Sequence, residues 1–334
     1  MAKYKVYKLH FTTPVHFGDA RDDYSISQKT IQSDTMYAAL TACLAKLGKE
    51  IPDNGDLGCT ISSLFPFFQE KKDEKENKKC EPIYFLPKPL KQSLPKLAHV
   101  EDAKKVKKVA WFDIEYFQKA INGVQLFESD ADISNIKGNF LTGKKTPKEF
   151  EKFIDAQVSE RVTVSRTGTE DATPFYMDRV SFKGDSGLYF LAEGDTNLVN
   201  QALELLQDEG IGTDRNVGNG AFTYEIDTIE IDLPANCDYQ MSLSVFIPEN
   251  KQQLDEMLDS GSVAYDFVRR GGWITTPPFN TLRKNVVYAF LPASVFKATE
   301  GPIKGAIVNL GEDVPGLNHP IFRCGKSLFI PIKL

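Results

Sequence analysis

The residues of this 334-residue chain best suited to holding a phosphate lie in one stretch, Gly210-Ile-Gly-Thr-Asp-Arg-Asn-Val-Gly-Asn-Gly-Ala-Phe222. Glycine at Gly210, Gly212, Gly218 and Gly220 permits positive φ and leaves no Cβ between the backbone and a ligand. Successive free N–H groups in such a loop form an anion-binding nest, and Arg215, with Asn216 beside it, adds a bidentate phosphate donor. A phosphodiester backbone fits that chemistry. A plain helix-to-strand turn fits the composition equally well, with Gly210 as an ordinary helix-ending glycine. A dinucleotide fingerprint does not fit, because G-x-G-x-x-G must follow a strand and open a helix.

The elements around the loop follow from periodicity. Asn197–Gln207 places Leu198, Val199, Ala202, Leu205 and Leu206 at helical spacing, and Phe222, Tyr224 and Ile226 alternate as a strand. Upstream, Tyr4 to Phe11 reads as a strand with Tyr7, Leu9 and Phe11 on one face. A helix then opens at Ser33-Asp34-Thr35 with Met36, Leu40, Cys43, Leu44 and Leu47 as its apolar stripe. Ser33 or Asp34 is the natural N-cap and Gly48 the natural stop. Gly187–Ala192 is a further strand. Strand–helix–strand units with antiparallel hairpins between them suggest a β-α-β-β-α-β ferredoxin-like domain. After Pro234 the plan restarts with Met241, Leu243, Val245 and Ile247 alternating, a helix over Lys251–Leu258, and strands at Val286–Phe290, Ile303–Leu310 and Leu328–Ile330. The fold class is therefore α+β, in two similar domains, 1–234 and 235–334. Val158–Phe182, carrying Arg161, Arg166 and Arg179, reads as a long hairpin projecting from the first domain or as a surface loop. Lys71–Lys79 is a solvated mixed-charge loop.

Bulk properties exclude several classes. Hydrophobic residues make up 41% and charged residues 26%, as in an ordinary globular protein, and no run approaches the ~20 apolar residues of a membrane helix. The N-terminus lacks an apolar signal core. Five scattered cysteines, none in C-x-x-C spacing, suit reduced thiols in a cytoplasm and neither a disulfide framework nor a zinc site. A net charge of −6 argues against a protein coated in nucleic acid but leaves room for a local basic groove.

Candidate enzymatic residues are sparse. His16 in the early loop is suited to general-base work, yet the sequence shows no partner for it. Asp34 opens a helix, which favours a capping or backbone-ordering role. His10 and His319 sit in strand-like contexts as packing or hydrogen-bonding residues, and His99 lies near a lysine-rich loop. Gly138-Asn-Phe-Leu-Thr-Gly-Lys-Lys145 approaches a phosphate-binding loop, but Lys145 stands where the Mg²⁺-holding hydroxyl belongs. Arg269-Arg270-Gly-Gly-Trp273 is either a binding surface or a hairpin turn with a rim tryptophan.

Taken together, Phe11–Asp19, Ser33–Leu40, Phe85–Leu90, Gly187–Gly194, the glycine loop, Arg269–Trp273, Ser294–Lys297 and His319–Arg323 carry a resemblance that runs nearly end to end. The chain resembles the family of fourth Csm subunits of type III-A CRISPR effector complexes, within the RAMP superfamily of repeat-associated proteins. The resemblance implies two ferredoxin-like, RRM-related domains and a hairpin thumb at about residues 158–182. It further implies a non-catalytic cytoplasmic subunit of antiviral defence that needs no cofactor or metal. Such a subunit holds the repeat-derived 5′ tag of CRISPR RNA and bridges the large polymerase-like subunit to the backbone filament. The residues expected to face RNA are then His16, Phe17, Gly18, Ser33, Arg161, Arg166, Gly210, Gly212, Arg215, Asn216, Gly218, Gly220, Arg269, Arg270, Trp273 and Lys297, with Phe17 and Trp273 as exposed rings for stacking bases. Some relatives cleave RNA with an early-loop histidine, so the alternative is an endoribonuclease that processes precursor RNA through His16.

Overall fold

The computed structural model describes residues 1–18, 24–70, 81–91, 100–164, 167–168, 171–299 and 301–334. Lys71–Lys79, His99 and Arg166 lie outside them.

In chain order the first part comprises β1 (Ala2–Phe11), α1 (Ser33–Lys46), β2 (Cys59–Ile61), β3 (Phe65–Phe68), β4 (Ile83–Pro87), α2 (Val100–Lys108), β5 (Trp111–Asp113), α3 (Ile114–Ile121), α4 (Asp130–Ser134), β6 (Ile136–Lys137), β7 (Phe140–Leu141), β8 (Ile154–Thr163), β9 (Thr173–Phe182), β10 (Gly187–Gly194), α5 (Asn197–Glu209) and β11 (Phe222–Ile231). The second comprises β12 (Tyr239–Ser242), α6 (Lys251–Leu258), β13 (Phe267–Arg270), β14 (Val287–Phe290), β15 (Val295–Lys297), β16 (Ile307–Asn309), β17 (Phe322–Cys324) and β18 (Phe329–Ile332). The class is α+β, as the periodicities imply.

The main sheet runs β11-β1-β10-β3-β4-β5-β7-β6, with β2 also on β10. Next to its β11 edge, β1 pairs antiparallel with β11 along its full length and with β10 over Lys5–Leu9. Both faces of β1 are covered. Tyr7 and Leu9 pack with α1 and α5, while Tyr4 and Val6 pack with α3 and with Met241, Leu243, Val295 and Ile330 of the second part. Burial on both sides explains why this strand carries apolar residues on each face. The second part contributes a three-stranded sheet, β15-β12-β18, and two hairpins, β13-β14 and β16-β17.

Three local readings differ from the structure. The α1 stripe includes buried Tyr37, whose hydroxyl bonds to the Gly55 carbonyl, and leaves Leu47 exposed at the C-cap. The α5 stripe is Val199, Ala202, Leu203 and Leu206; Leu198 and Leu205 lie at its margins. Ile226 is exposed because β11 is an edge strand.

Candidate nucleic-acid interface

The glycine loop, the early loop at Pro14–Gly18 and the base of the β8–β9 hairpin are knitted into one surface by backbone hydrogen bonds. Thr213 N–H donates to the His16 carbonyl (2.9 Å), and Gly220 N–H to that of Pro14 (3.0 Å). Val15 and Val180 exchange a bond in each direction, at 2.9 and 2.8 Å. All four loop glycines have positive φ, as their type and spacing imply. Gly220 shows why: a Cβ there would stand 2.1 Å from the Ile211 carbonyl oxygen, whereas one on Gly218 would meet open space. Asp214 is left-handed too (φ 63°), a conformation aspartate tolerates, and no glycine pattern reveals it.

Side chains complete the surface. Arg161 on β8 reaches Asp214 at 2.5 Å, tying the hairpin to the glycine loop. Arg215, 44% exposed, keeps only a 3.9 Å approach to Glu209 among the described residues, so its guanidinium is available to solvent. Asn216, Gly218 and Gly18 are exposed beside it or opposite, in the early loop. His16 is 1% exposed and its Nδ1 lies 2.8 Å from the Asp178 carbonyl oxygen. That contact assigns the proton of the neutral ring to Nδ1 and leaves Nε2 an acceptor. His16 Nε2, Asp178 Oδ1 and Asn219 Nδ2 are buried without a partner among the described residues. Groups of this kind are uncommon in a finished interior.

Other expected contacts are corrected. Phe17 is not an exposed ring. It is 9% exposed, packs edge-on to Phe11 and abuts Gly212, so it holds the early loop against the glycine loop. Gly210 and Gly220 are buried against the protein's own backbone, whereas Gly212 stays exposed although a Cβ there would meet the His16 carbonyl oxygen. Ser33 is buried; its hydroxyl accepts from Val245 N–H (2.8 Å) and its N–H donates to Ser63 Oγ (2.9 Å). Neither Ser33 nor Asp34 caps α1, because Gln32 occupies that position.

Asp34 is instead the centre of a buried clasp between the two parts of the chain. Its carboxylate takes Arg270 bidentately at 2.7 and 2.8 Å and Arg323 Nη1 at 2.8 Å. Burial alone raises the Asp34 pKa, but Arg270 and Arg323 outweigh it and hold the carboxyl below the usual carboxylate range. Burial lowers the Arg323 pKa, with Asp34 opposing. Lys284 nearby is pushed down to about 8, by burial first and then by Arg323. Arg270 therefore does not stand ready for RNA. Its neighbour Arg269 is exposed, because β13 turns alternate residues outward. Trp273 is half-buried with the Arg283 guanidinium 4.8 Å from its ring centre. Lys297 pairs with Asp259 at 3.3 Å, far along the chain from the glycine loop.

The Gly138–Lys145 stretch is the β6–β7 hairpin and the loop after it, with Gly143 N–H donating to Asp113 Oδ2 (3.1 Å), and no helix opens there. Among the described residues no three His, Cys, Asp or Glu side chains are placed to hold a metal ion, and no helix is long and apolar enough to cross a membrane.

The arrangement is that of an α+β protein whose glycine loop, early loop and hairpin base meet in one surface. Comparison with known proteins finds one consistent likeness. Residues 235–332 match the family model of the CRISPR Csm4 C-terminal domain. The chain is 25% identical to the CRISPR system protein Csm4 of Streptococcus thermophilus, over 99% of both chains. It is 24% identical to that of Thermococcus onnurineus, over 91% of this chain and 92% of the relative. Its fold matches a chain in the crystal structure of a Csm1-Csm4 cassette in complex with cA4 (TM-score 0.60, 18% identity, 100% of this chain and 99% of the other). It also matches one in the Csm3-Csm4 subcomplex of the type III-A CRISPR-Cas interference complex (TM-score 0.56, 19% identity, full coverage of both). The chain resembles Csm4 from end to end.

Proposed function

We propose that this chain is a non-catalytic, RNA-holding subunit of a type III-A CRISPR effector in the cytoplasm. It grips the repeat-derived 5′ tag of the guide RNA and links a large Csm1-like subunit to a Csm3-like backbone. The observation that carries this reading is the convergence of the early loop, the glycine loop and the hairpin base around partnerless buried polar atoms, with Arg215 free at the rim. The Arg215 guanidinium suits phosphates, whereas the expected nest is largely spent, because the amides of Ile211, Thr213, Val217, Gly218, Asn219 and Gly220 donate within the protein. Sheet order supports the domain assignment: β11-β1-β10-β2 alternating with α1 and α5 follows a ferredoxin-like β-α-β-β-α-β plan. The β8–β9 hairpin takes the role of the thumb, and 235–334 that of the second RAMP domain. The bridging role rests on relatives of the same fold that occur in Csm1-Csm4 and Csm3-Csm4 assemblies.

The buried ring and occupied Nδ1 of His16 favour a holding role over general-base catalysis. The test is binding of a labelled repeat-derived RNA to the purified chain, followed by gel analysis of the RNA. Retention of intact RNA supports the reading. Failure to bind overturns it, and metal-independent cleavage that His16→Ala abolishes would make the chain an endoribonuclease instead.

A further inference from the structure

The β13–β14 hairpin presents a face that the interface described above does not use. Its register sets Phe267 opposite Phe290 and Arg269 opposite Tyr288, so these residues share one side, while Val268, Arg270, Val287 and Ala289 share the other. The inner side is spent: Ala289 and Val287 join the core, and Arg270 reaches Asp34. On the outer side Phe290 packs against Phe246, Phe296 and Tyr265, and the other two rings are bare. Phe267 is 58% and Tyr288 61% exposed, and their rings meet edge to face at 6.1 Å. Two large adjacent rings left in solvent mark a binding surface, since scattered single apolar residues need no such explanation.

Charge selects the occupant. Residues 265–290 contain Arg269, Arg270, Arg283 and Lys284 against Asp266 alone, in a chain whose net charge is −6. Behind the hairpin a single buried carboxylate, Asp34, serves both Arg270 and Arg323. Lys284, pushed down to about 8 by burial and Arg323, has no anionic partner of its own among the described residues. Arg269 shares the outer side with the rings, and the excess of cations over Asp266 in this segment favours a polyanion over an acid-poor protein surface.

We propose that Phe267, Tyr288 and Arg269 form a stacking platform for unpaired bases of single-stranded RNA, a second RNA site on the outer face of the β13–β14 hairpin. Neighbouring rings on a sheet face accept successive bases whatever their identity, and an adjacent arginine stacks or pairs with the phosphate between them. The platform rests on the reading of the chain as an RNA-holding subunit, and extends the path of the strand from the glycine loop onto the second part of the molecule.

Fluorescence anisotropy with a labelled single-stranded RNA of about a dozen nucleotides, and the same RNA in a duplex, tests this on the full chain. The double variant Phe267→Ala/Tyr288→Ala should weaken single-strand binding about tenfold or more, with unchanged salt slope and, since both rings are mostly exposed, unchanged melting temperature. Tyr288→Phe should retain binding, and Arg269→Ala should lower the salt slope by about 0.7. Wild-type affinity in the double variant overturns the platform. If that same variant loses a co-expressed Csm1-like or Csm3-like subunit while still binding RNA, the face is a protein interface and the platform is equally overturned. Loss of binding in Arg215→Ala but not in the ring variants leaves the RNA-holding function standing without the platform. No binding by wild-type chain removes both.

Discussion

Replacing Asp34 by alanine should destabilise the protein more than any surface change near the glycine loop. The carboxylate is fully buried and is the shared partner of Arg270 and Arg323, whose side chains are 13% and 7% exposed. Its removal strands two buried guanidinium groups, and breaking a buried ion pair from one side costs about 3–5 kcal/mol. For 334 residues the entropy of unfolding is about 0.7 kcal/mol/K at the usual per-residue value, so the melting temperature should fall by about 4–7 °C. Asp34→Asn retains shape and one acceptor oxygen but not charge, and should lose most of the same stability.

The clasp also predicts a pH response. Burial tends to raise the Asp34 pKa, yet the two arginines prevail and depress it. A carboxyl whose folded pKa lies below its unfolded value of about 3.9 contributes stability that is complete above that value and is lost as pH falls through the folded one. Wild-type melting temperature should therefore drop below about pH 4 more steeply than that of Asp34→Asn. Thermal denaturation followed by circular dichroism between acid and neutral pH reads both effects. A double-mutant cycle with Arg270→Ala should be strongly non-additive, because the second truncation removes a charge the first had stranded. An Asp34→Ala protein that melts like wild type, or strict additivity with Arg270→Ala, would refute the clasp.

Three further outcomes follow from the loop geometry. Gly220→Ala, with its Cβ 2.1 Å from the Ile211 carbonyl oxygen, should cost at least about 3 kcal/mol, and Gly218→Ala, strained only by its φ of 86°, about 1 kcal/mol, as read by urea denaturation; equal costs would contradict the packing. Arg215→Ala should reduce the salt slope of RNA binding by about 0.7 with little change in melting temperature, since its contact to Glu209 is a 3.9 Å surface pair; a large thermal shift with an unchanged slope would make it a structural tie. His16→Ala should weaken RNA binding without altering the length of bound RNA on a denaturing gel, and a product made by wild type but not by the variant would contradict a holding role.

What the sequence made legible was local. Periodicity located α5, α6 and β1, and the glycine types anticipated four positive-φ turns, because each depends on neighbours within a few residues. The β8–β9 hairpin was visible for the same reason, although its strand begins at Ile154, before the expected Val158. What stayed hidden depends on distant partners. Ser33 is held by Val245, 212 positions away, and Asp34 by Arg270 and Arg323, at separations of 236 and 289. Good capping residue types at a helix start therefore misled: tertiary partners took the oxygens that would have capped α1. Phe17 misled similarly, since a ring in a glycine-flanked loop reads as exposed until the opposite loop is known to close over it. Phe267 and Tyr288 were within reach, because F-V-R-R and V-Y-A-F alternate with period two, but only the register reveals that the rings share the outer side.

The two kinds of attachment imply two kinds of sensitivity. At the glycine loop the geometry is carried by main-chain bonds, from Thr213 to His16, Gly220 to Pro14, and between Val15 and Val180. Side chains at its rim, Arg215 and Asn216 among them, are free of structural duty, so substitution there should alter affinity and leave the fold intact. Between the two parts of the chain the junction combines a shared apolar core, in which Tyr4 and Val6 meet Met241, Leu243, Val295 and Ile330, main-chain bonds from Ser63 to Leu243 and from Lys333 to Ile121, and the buried clasp of one carboxylate and two guanidiniums. Substitution there should loosen how the second part sits on the first while each keeps its own strands. A strand of RNA that runs from the glycine loop to the β13–β14 hairpin would cross that junction. Loosening it should then reduce binding of an RNA long enough to reach both sites, and leave a short oligonucleotide confined to the glycine loop bound as before.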